Sequence, residues 1–226
     1  MVICWFISVL LDKLIYKNIK ILYEDDNIII IQKPKALLTI PFLEFRKSTF
    51  SLLLCISKAK LMLLQRLDFG TWGLILVCKT WYCDLQYLQL KYQFYHKLIV
   101  KVYICVCIDA NHINDLRFCL FKELVKILVN NRKINIILIN LLSGKRHQIR
   151  LHQRCIIGDR IYGFNMILPK IWNVLNQVLK HQCLNAYLLC FRNPVNFKIY
   201  CFEYKMDKII RYMLINFLIY SNMKIS

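Results

Sequence analysis

ILYEDDNIIIIQKP, residues 21–34, reads as a strand, an acidic turn and a second strand, which Pro34 ends because its ring has no N–H for a ladder. Working outward, GLILVCK at 73–79, HKLIVKVYICVCI at 96–108 and INIILINLL at 134–142 are further strand patterns rich in β-branched and aromatic residues. TWYCDLQYLQLKYQ at 80–93 fits a helix, and a Ser143-Gly144 turn leads to a second helix from about residue 147. YLLCF (187–191) and KIYCFEY (198–204) flank Asn193-Pro194 as a hairpin-like pair. Strands outnumber helices and do not alternate strictly with them. That argues an α+β fold with a mixed or antiparallel central sheet flanked by helices, not a doubly wound one. No repeat, low-complexity linker or second domain is visible, so residues 1–226 are expected to form a single domain. The tail after Asp207 is expected to pack as a helix or strand.

The chain of 226 residues carries 32 Lys and Arg against 13 Asp and Glu, a net charge of +19. Such a field favours a polyanionic partner, nucleic acid or an anionic membrane surface. Apolar residues make up 58%, yet no uncharged run reaches the roughly 18 residues of a spanning helix. VICWFISVLL at 2–11 stops at Asp12 and Lys13 and has neither the basic leader nor the cleavage site of a signal peptide. It reads as a core-facing segment, and a soluble, cytoplasmic protein is expected. Eleven scattered cysteines, an odd number, suit reduced buried thiols better than a disulfide framework. Cys105 and Cys107 would share one strand face, and neither Cys78-x4-Cys83 nor His181-x-Cys183 has a paired-knuckle zinc spacing, so no metal site is expected. The skew to Ile, Lys, Asn, Tyr, Phe and Leu is that of an AT-rich coding sequence, which competes with a polyanionic partner as the source of the charge.

The five glycines fall in two blocks, 63–79 and 143–163, and each marks a turn or a close backbone approach. In the first block, LLQRLDFGTWG (63–73), Asp68 is isolated: the nearest acids are Glu44 and Asp84. The second, LLSGKRHQIRLHQRCIIGDRIYG, holds Lys145, Arg146, Arg150, Arg154 and Arg160, with no carboxylate between Glu123 and Asp159. This is the pattern of a site for an anionic substrate with one carboxylate at work. Other templates fail. There is no G-x-G-x-x-G, Gly144-Lys145 lacks the rest of a P-loop, and His147 and His152 do not make a zinc-protease helix.

In order along the chain, these pieces resemble the RluA-type RNA pseudouridine synthases. QRLDFGTWGLILVCK stands where that family has His-Arg-Leu-Asp, two variable residues, Thr-Ser-Gly and an apolar strand. Lys101-Val102-Tyr103 stands at its Lys-x-Tyr, and SGKRHQIRLH followed by GDRIYG at its Thr-Gly-Arg-Thr-His-Gln-Ile-Arg-x-His, Gly-Asp and Tyr-Gly. The opening Lys33-Pro34, CLNA at 183–186 and Asn193-Pro194 fit as well, so the resemblance covers roughly residues 19–205. It implies the pseudouridine synthase fold and a cofactor-free isomerase acting on RNA, large-subunit ribosomal RNA by family habit and transfer RNA as the alternative. A monomer with no membrane partner is expected. With about 18 residues ahead of the opening strand, an N-terminal S4 RNA-binding domain is not expected.

The resemblance gives Asp68 the role of nucleophile, and the surrounding cations favour its ionised form. Arg66 would fill the gap left by a flipped base, Tyr103 would stack on the uracil and serve in proton removal from carbon 5, and Arg150 would pair with Asp68. Lys145, Arg146 and Arg154 are candidates for the RNA backbone. Read without the family, Arg66 is a surface cation, Tyr103 a strand aromatic and Arg150 a phosphate contact or solvated charge. Departures from the pattern are Gln65 for His, Trp72 for Ser, Lys145 for Arg, Arg146 for Thr, and an interval after His152 shorter than the family's. Lys145 keeps a point charge but loses the bidentate fork. These departures leave two competitors open, a catalytically weakened RNA-binding or ribosome-assembly factor on the same fold and a basic membrane-surface protein.

Overall fold

Ile28, Ile29, Ile30 and Ile31 are all buried, although successive strand side chains point to opposite faces. A strand apolar on both sides must lie inside a sheet covered on both faces, and the neighbours of this segment meet that demand. The computed structural model describes residues 19–41, 48–56, 60–79, 84–109, 119–129, 132–153, 155–163 and 181–204, together with Arg211 and Ile215. They fall in two compact units, one of residues 1–99 with 191–200, the other of 100–190 with 201–226.

In the first unit β1 (Lys20–Glu24) pairs antiparallel with β2 (Ile28–Lys33), and β2 pairs antiparallel with β4 (Trp72–Cys78). The acidic turn is closed by Asp25, whose carboxylate accepts the amides of Asn27 and Ile28 at 2.8 Å each. β1 is largely exposed, as an edge strand is, while every residue of β4 is buried. A two-residue strand β3 (Met62–Leu63) also pairs with β4. Helix α1 (Thr49–Ile56) begins at Ser48, which exchanges bonds with Ser51: each amide donates to the other's hydroxyl, at 2.8 and 3.1 Å. That is a capping box with Ser in the position usually held by Glu or Gln. Helix α2 (Leu85–Tyr95) buries Tyr87, Leu90 and Gln93. The Gln93 amide donates to the Arg192 carbonyl at 2.8 Å and accepts the Arg192 N–H at 2.9 Å, so it pairs like a strand residue.

The second unit is built on β5 (Val100–Ile108), which pairs antiparallel with β7 (Arg132–Leu141) on one side and β8 (Leu184–Arg192) on the other. Its central position buries Tyr103 to Ile108 without a break. β6 (Cys119–Val129) pairs along the whole of β7, from Cys119↔Leu141 to Val129↔Arg132, with a bulge between Glu123 and Val125. Short helix α3 (Gln148–His152) follows β7, and β9 (Ile199–Glu203) pairs with β8.

The α+β class and the strands expected at 21–34, 73–79, 96–108, 134–142 and 187–204 are present, and the helix expected at 80–93 runs from Leu85 to Tyr95. α1 and β6 were not expected. CLFKELVKILV places Leu120, Leu124 and Leu128 at helical spacing and Val125, Ile127 and Val129 at strand spacing, so its own residues do not choose. The ladder to β7 chooses. Reduced thiols throughout were also expected, but Cys190 and Cys201 form a disulfide between β8 and β9. The turn at 193–198 brings the two strands side by side and sets these residues opposite each other, which residue spacing does not disclose. Cys78, Cys105, Cys107 and Cys183 are buried thiols, with the sulfurs of Cys105 and Cys107 on one face 3.4 Å apart. No helix among the described residues is long and apolar enough to cross a membrane. The segments expected at 2–11 and after Asp207 lie outside the described residues, apart from Arg211 and Ile215.

Core position, not apolar content, sets the energetics here. Ile75→Ala, at a fully buried site, should lower unfolding free energy by about 2–5 kcal/mol. Leu85→Ala, at a site 66% exposed, should change it by no more than about 0.5 kcal/mol. Urea unfolding of the two variants checks the contrast.

Candidate active site

Asp68 sits half-buried on the turn that feeds β4, where the Thr71 amide donates to the Asp68 carbonyl at 3.1 Å. Arg66 and Phe69, two residues before it and one after, are exposed. Gly73 has φ 120°, a conformation that side chains resist, and it lies opposite Lys33 in the β2–β4 register. Gln65 donates its side-chain amide to the Leu74 carbonyl at 3.3 Å. Trp72 is buried, and the Lys35 ammonium lies 3.7 Å from its ring centroid, a cation–π contact. The bulk that replaces the family's Ser is thus taken into the core layer of β4.

Beneath this turn is a buried lysine. Lys33 is 0% exposed, and its ammonium donates to the carbonyls of Leu37 (2.6 Å), Pro34 (2.9 Å) and Phe69 (3.2 Å). Burial pulls its pKa down from 10.5 to about 7, while the nearby Asp68 charge works in the other direction. Thr39, also buried, binds Leu67 twice: its hydroxyl donates to the Leu67 carbonyl at 2.7 Å and accepts the Leu67 amide at 3.0 Å.

The other candidates lie in the second unit. Tyr103, 8% exposed, stands in β5 where the pairing with β8 shifts register between Val102 and Tyr103. Such a bulge re-aims the side chains around it. Lys101 donates to the Ser143 carbonyl at 3.1 Å, and its burial lowers its pKa. Gln148 then closes the turn after β7: its side-chain oxygen accepts the Ser143 hydroxyl (2.6 Å) and the Lys145 amide (3.0 Å). Lys145 and Arg146 are exposed on that turn, and His147 enters α3 with φ 53°. Arg154 lies outside the described residues.

Arg150 is buried. Its Nε donates to one oxygen of Asp159 at 2.7 Å and its Nη2 to the other at 2.8 Å, with the guanidinium 5.1 Å from the centroid of the Tyr162 ring. Asp159 also accepts the amides of Ile161 (3.0 Å) and Tyr162 (3.2 Å), and the Tyr162 hydroxyl lies 2.9 Å from His147 Nδ1. Gly158 has φ 79°, and a Cβ on Gly163 would meet the Asp159 carbonyl at 2.7 Å, so both glycines of GDRIYG are required by the backbone. The resemblance implied Asp68 as the partner of Arg150; within its own unit the guanidinium holds Asp159. Lys33, Thr39 and Asp159 were not expected as builders of the site. For Lys33 and Asp159 the signal was present in the quoted Lys-Pro and Gly-Asp pairs; Thr39 carried none.

Among the described residues no group of three or more His, Cys, Asp or Glu could hold a metal ion. Residues 27–154 match the sequence pattern of a family described as RNA pseudouridylate synthase. An uncharacterized RNA pseudouridine synthase of Helicobacter pylori is 26% identical over 218 residues, covering 78% of this chain and 63% of that protein. The ribosomal large subunit pseudouridine synthase C of Rickettsia felis is 31% identical over 178 residues, covering 66% of this chain and 57% of that protein. The chain therefore spans less than two thirds of the length of these relatives. In fold it is similar to human RNA pseudouridylate synthase domain containing 4, with a TM-score of 0.66, 17% identity, and coverage of 93% of this chain and 96% of that one.

The Arg150–Asp159 pair is open to test through acid stability. Burial raises the Asp159 pKa, but the bonds from Arg150 and from the Ile161 and Tyr162 amides outweigh it, and the net shift is downward. The folded state then releases its proton more readily than the unfolded chain. Stability from this group is full above the usual carboxylate range and is lost as pH falls through the lowered folded value. Asp159→Asn should cost about 3–5 kcal/mol at pH 7, because it leaves a buried guanidinium without its counter-charge. Urea unfolding from pH 7 down to pH 2 should show that gap closing at the acid end.

Proposed function

This chain belongs to the RNA pseudouridylate synthase family, and from that premise we propose that it isomerises uridine to pseudouridine in RNA, with Asp68 as nucleophile. The reaction breaks the bond from N1 of uracil to the ribose, forms one from carbon 5 to the same ribose carbon, moves a proton off carbon 5 and returns one to N1. It is balanced without an oxidant or reductant, and it needs one well-placed carboxylate and a way to strip the carbon-5 proton. The observation that carries the reading is Asp68 itself, a half-buried acid on a turn tied down on both sides, inside the segment that matches the family. In this reading Arg66, exposed beside it, fills the stack vacated by the flipped base. Tyr103 stacks on the extruded uracil and takes part in proton removal. Arg150, which the resemblance pairs with Asp68, is kept as a substrate-binding residue, and Lys145, Arg146 and Arg154 meet phosphates. Relatives named as ribosomal large subunit pseudouridine synthases support large-subunit ribosomal RNA as the substrate; a cytoplasmic location is part of the same proposal.

Asp68→Asn should abolish pseudouridine formation in ribosomal RNA while leaving RNA affinity nearly unchanged, since it removes the nucleophile and almost no volume; urea unfolding reads separately what the loss of its charge near Lys33 costs the fold. Substantial turnover in that variant defeats the assignment. Tyr103 separates two contributions. A stacked base gains about 1–3 kcal/mol from an aromatic face, and a hydroxyl in proton transfer contributes about 10²–10⁴-fold in rate. Tyr103→Phe should keep RNA binding but slow tritium release from carbon-5-labelled uridine; Tyr103→Ala should weaken both.

A further inference from the structure

The chain on either side of Asp68 is held by side chains from one short segment, 33–39. Thr39 binds both peptide groups of Leu67, the residue before Asp68, and Lys33 binds the carbonyl of Phe69, the residue after it. We propose that Thr39 and Lys33 are positioning residues for Asp68: together they fix the backbone on both sides of the carboxylate and so set its direction. The proposal rests on Asp68 being the nucleophile and adds the means by which it is aimed.

The holding segment is itself anchored. Lys33 is in register with Gly73 of β4, so its Cα is set by the sheet. Its ammonium also binds the Pro34 and Leu37 carbonyls, which curls 34–37 around the charge. Lys35 adds its contact with the Trp72 ring. From the far side the first amides of α1 close on the segment, Thr49 N–H donating to the Leu38 carbonyl at 2.7 Å and Phe50 N–H to that of Thr39 at 3.0 Å. Segment and turn are therefore mutually braced within the first unit, and Thr39 is the joint nearest the carboxylate. The φ and ψ of a turn residue set where its Cβ points, and χ1 and χ2 then choose among the few staggered positions left to the carboxylate. With Leu67 and Phe69 both fixed, the backbone freedom of Asp68 is nearly spent. A carboxylate displaced by 1 Å can lose on the order of 10²-fold in rate.

Thr39→Val is the decisive change, because it keeps the shape and removes both bonds to Leu67. In a folded variant, kcat for pseudouridine formation should fall by about 10²-fold with KM and RNA affinity within a few-fold of the wild type. Thr39→Ser, which keeps the hydroxyl and drops the methyl, should restore most of the rate. Lys33→Met should act in the same direction as Thr39→Val. Wild-type kcat in Thr39→Val, a rise in KM alone, or a Ser variant as slow as the Val variant overturns the proposal. Amide hydrogen exchange in the Asp68→Asn background separates this from the assignment of Asp68: Thr39→Val should speed exchange at Leu67 and at Thr71, whose amide closes the turn. Unchanged exchange overturns the brace even if Asp68 is the nucleophile. Faster exchange together with an active Asp68→Asn enzyme overturns the reading of Asp68, and with it the positioning role.

Discussion

An ammonium with no access to water is the constraint around which the first unit is arranged. Moving a lone charge into a protein interior costs several kcal/mol even after relaxation, unless dipoles or an opposite charge replace the lost water. Three backbone carbonyls and the nearby charge of Asp68 offset part of that cost for Lys33, whose pKa burial still pulls down to about 7. The carbonyls come from two places far apart in the chain, Pro34 and Leu37 on one side and Phe69 on the other. Satisfying one buried charge therefore fixes the turn after β2, the turn before β4 and the spacing between them. The four isoleucines ahead of Lys33 and the apolar run of β4 supply the burial that makes the demand strict.

The second unit repeats the device with other groups. The Arg150 guanidinium is buried against Asp159, whose remaining oxygen capacity is taken by the Ile161 and Tyr162 amides. Lys101, partly buried in β5, reaches the Ser143 carbonyl, and Gln148 gathers the Ser143 hydroxyl and the Lys145 amide. In both units a polar side chain with little water organises backbone at a turn, and the exposed cations sit on the turns so formed: Arg66 on one, Lys145 and Arg146 on the other. A turn braced in this way leaves less backbone to be ordered when an anion binds to the cations on it.

The strong charge is thus not of one kind. Lys33 and Arg150 are internal and structural, whereas Arg66, Lys145 and Arg146 face solvent. Counting Lys and Arg in the sequence merges these two classes, and only burial separates them. The same holds for the aromatic residues: Trp72, which departs from the family pattern, is taken up by the core and covered by Lys35, while Phe69 beside Asp68 stays exposed.

Local signals determined a good part of this protein. Apolar runs rich in β-branched and aromatic residues, bounded by Pro, Gly and acidic turns, placed the hairpin at 21–34, β4, β5, β7 and the β8–β9 pair, because a strand buried on one or both faces writes its environment into its own residues. Isolation in a basic stretch singled out Asp68, and sparse glycines marked both turns that matter. What only the tertiary structure decided are the choices made between distant segments. CLFKELVKILV becomes a strand because β7 offers it a full ladder, Cys190 meets Cys201 because a turn aligns their strands, and Arg150 finds Asp159 across the loop that follows α3. Thr39 left no trace at all in the sequence, since a threonine whose hydroxyl grips a residue 28 positions away looks like any other threonine. Periodicity reports the burial a segment needs; which partner meets that need is settled by the chain's return from elsewhere.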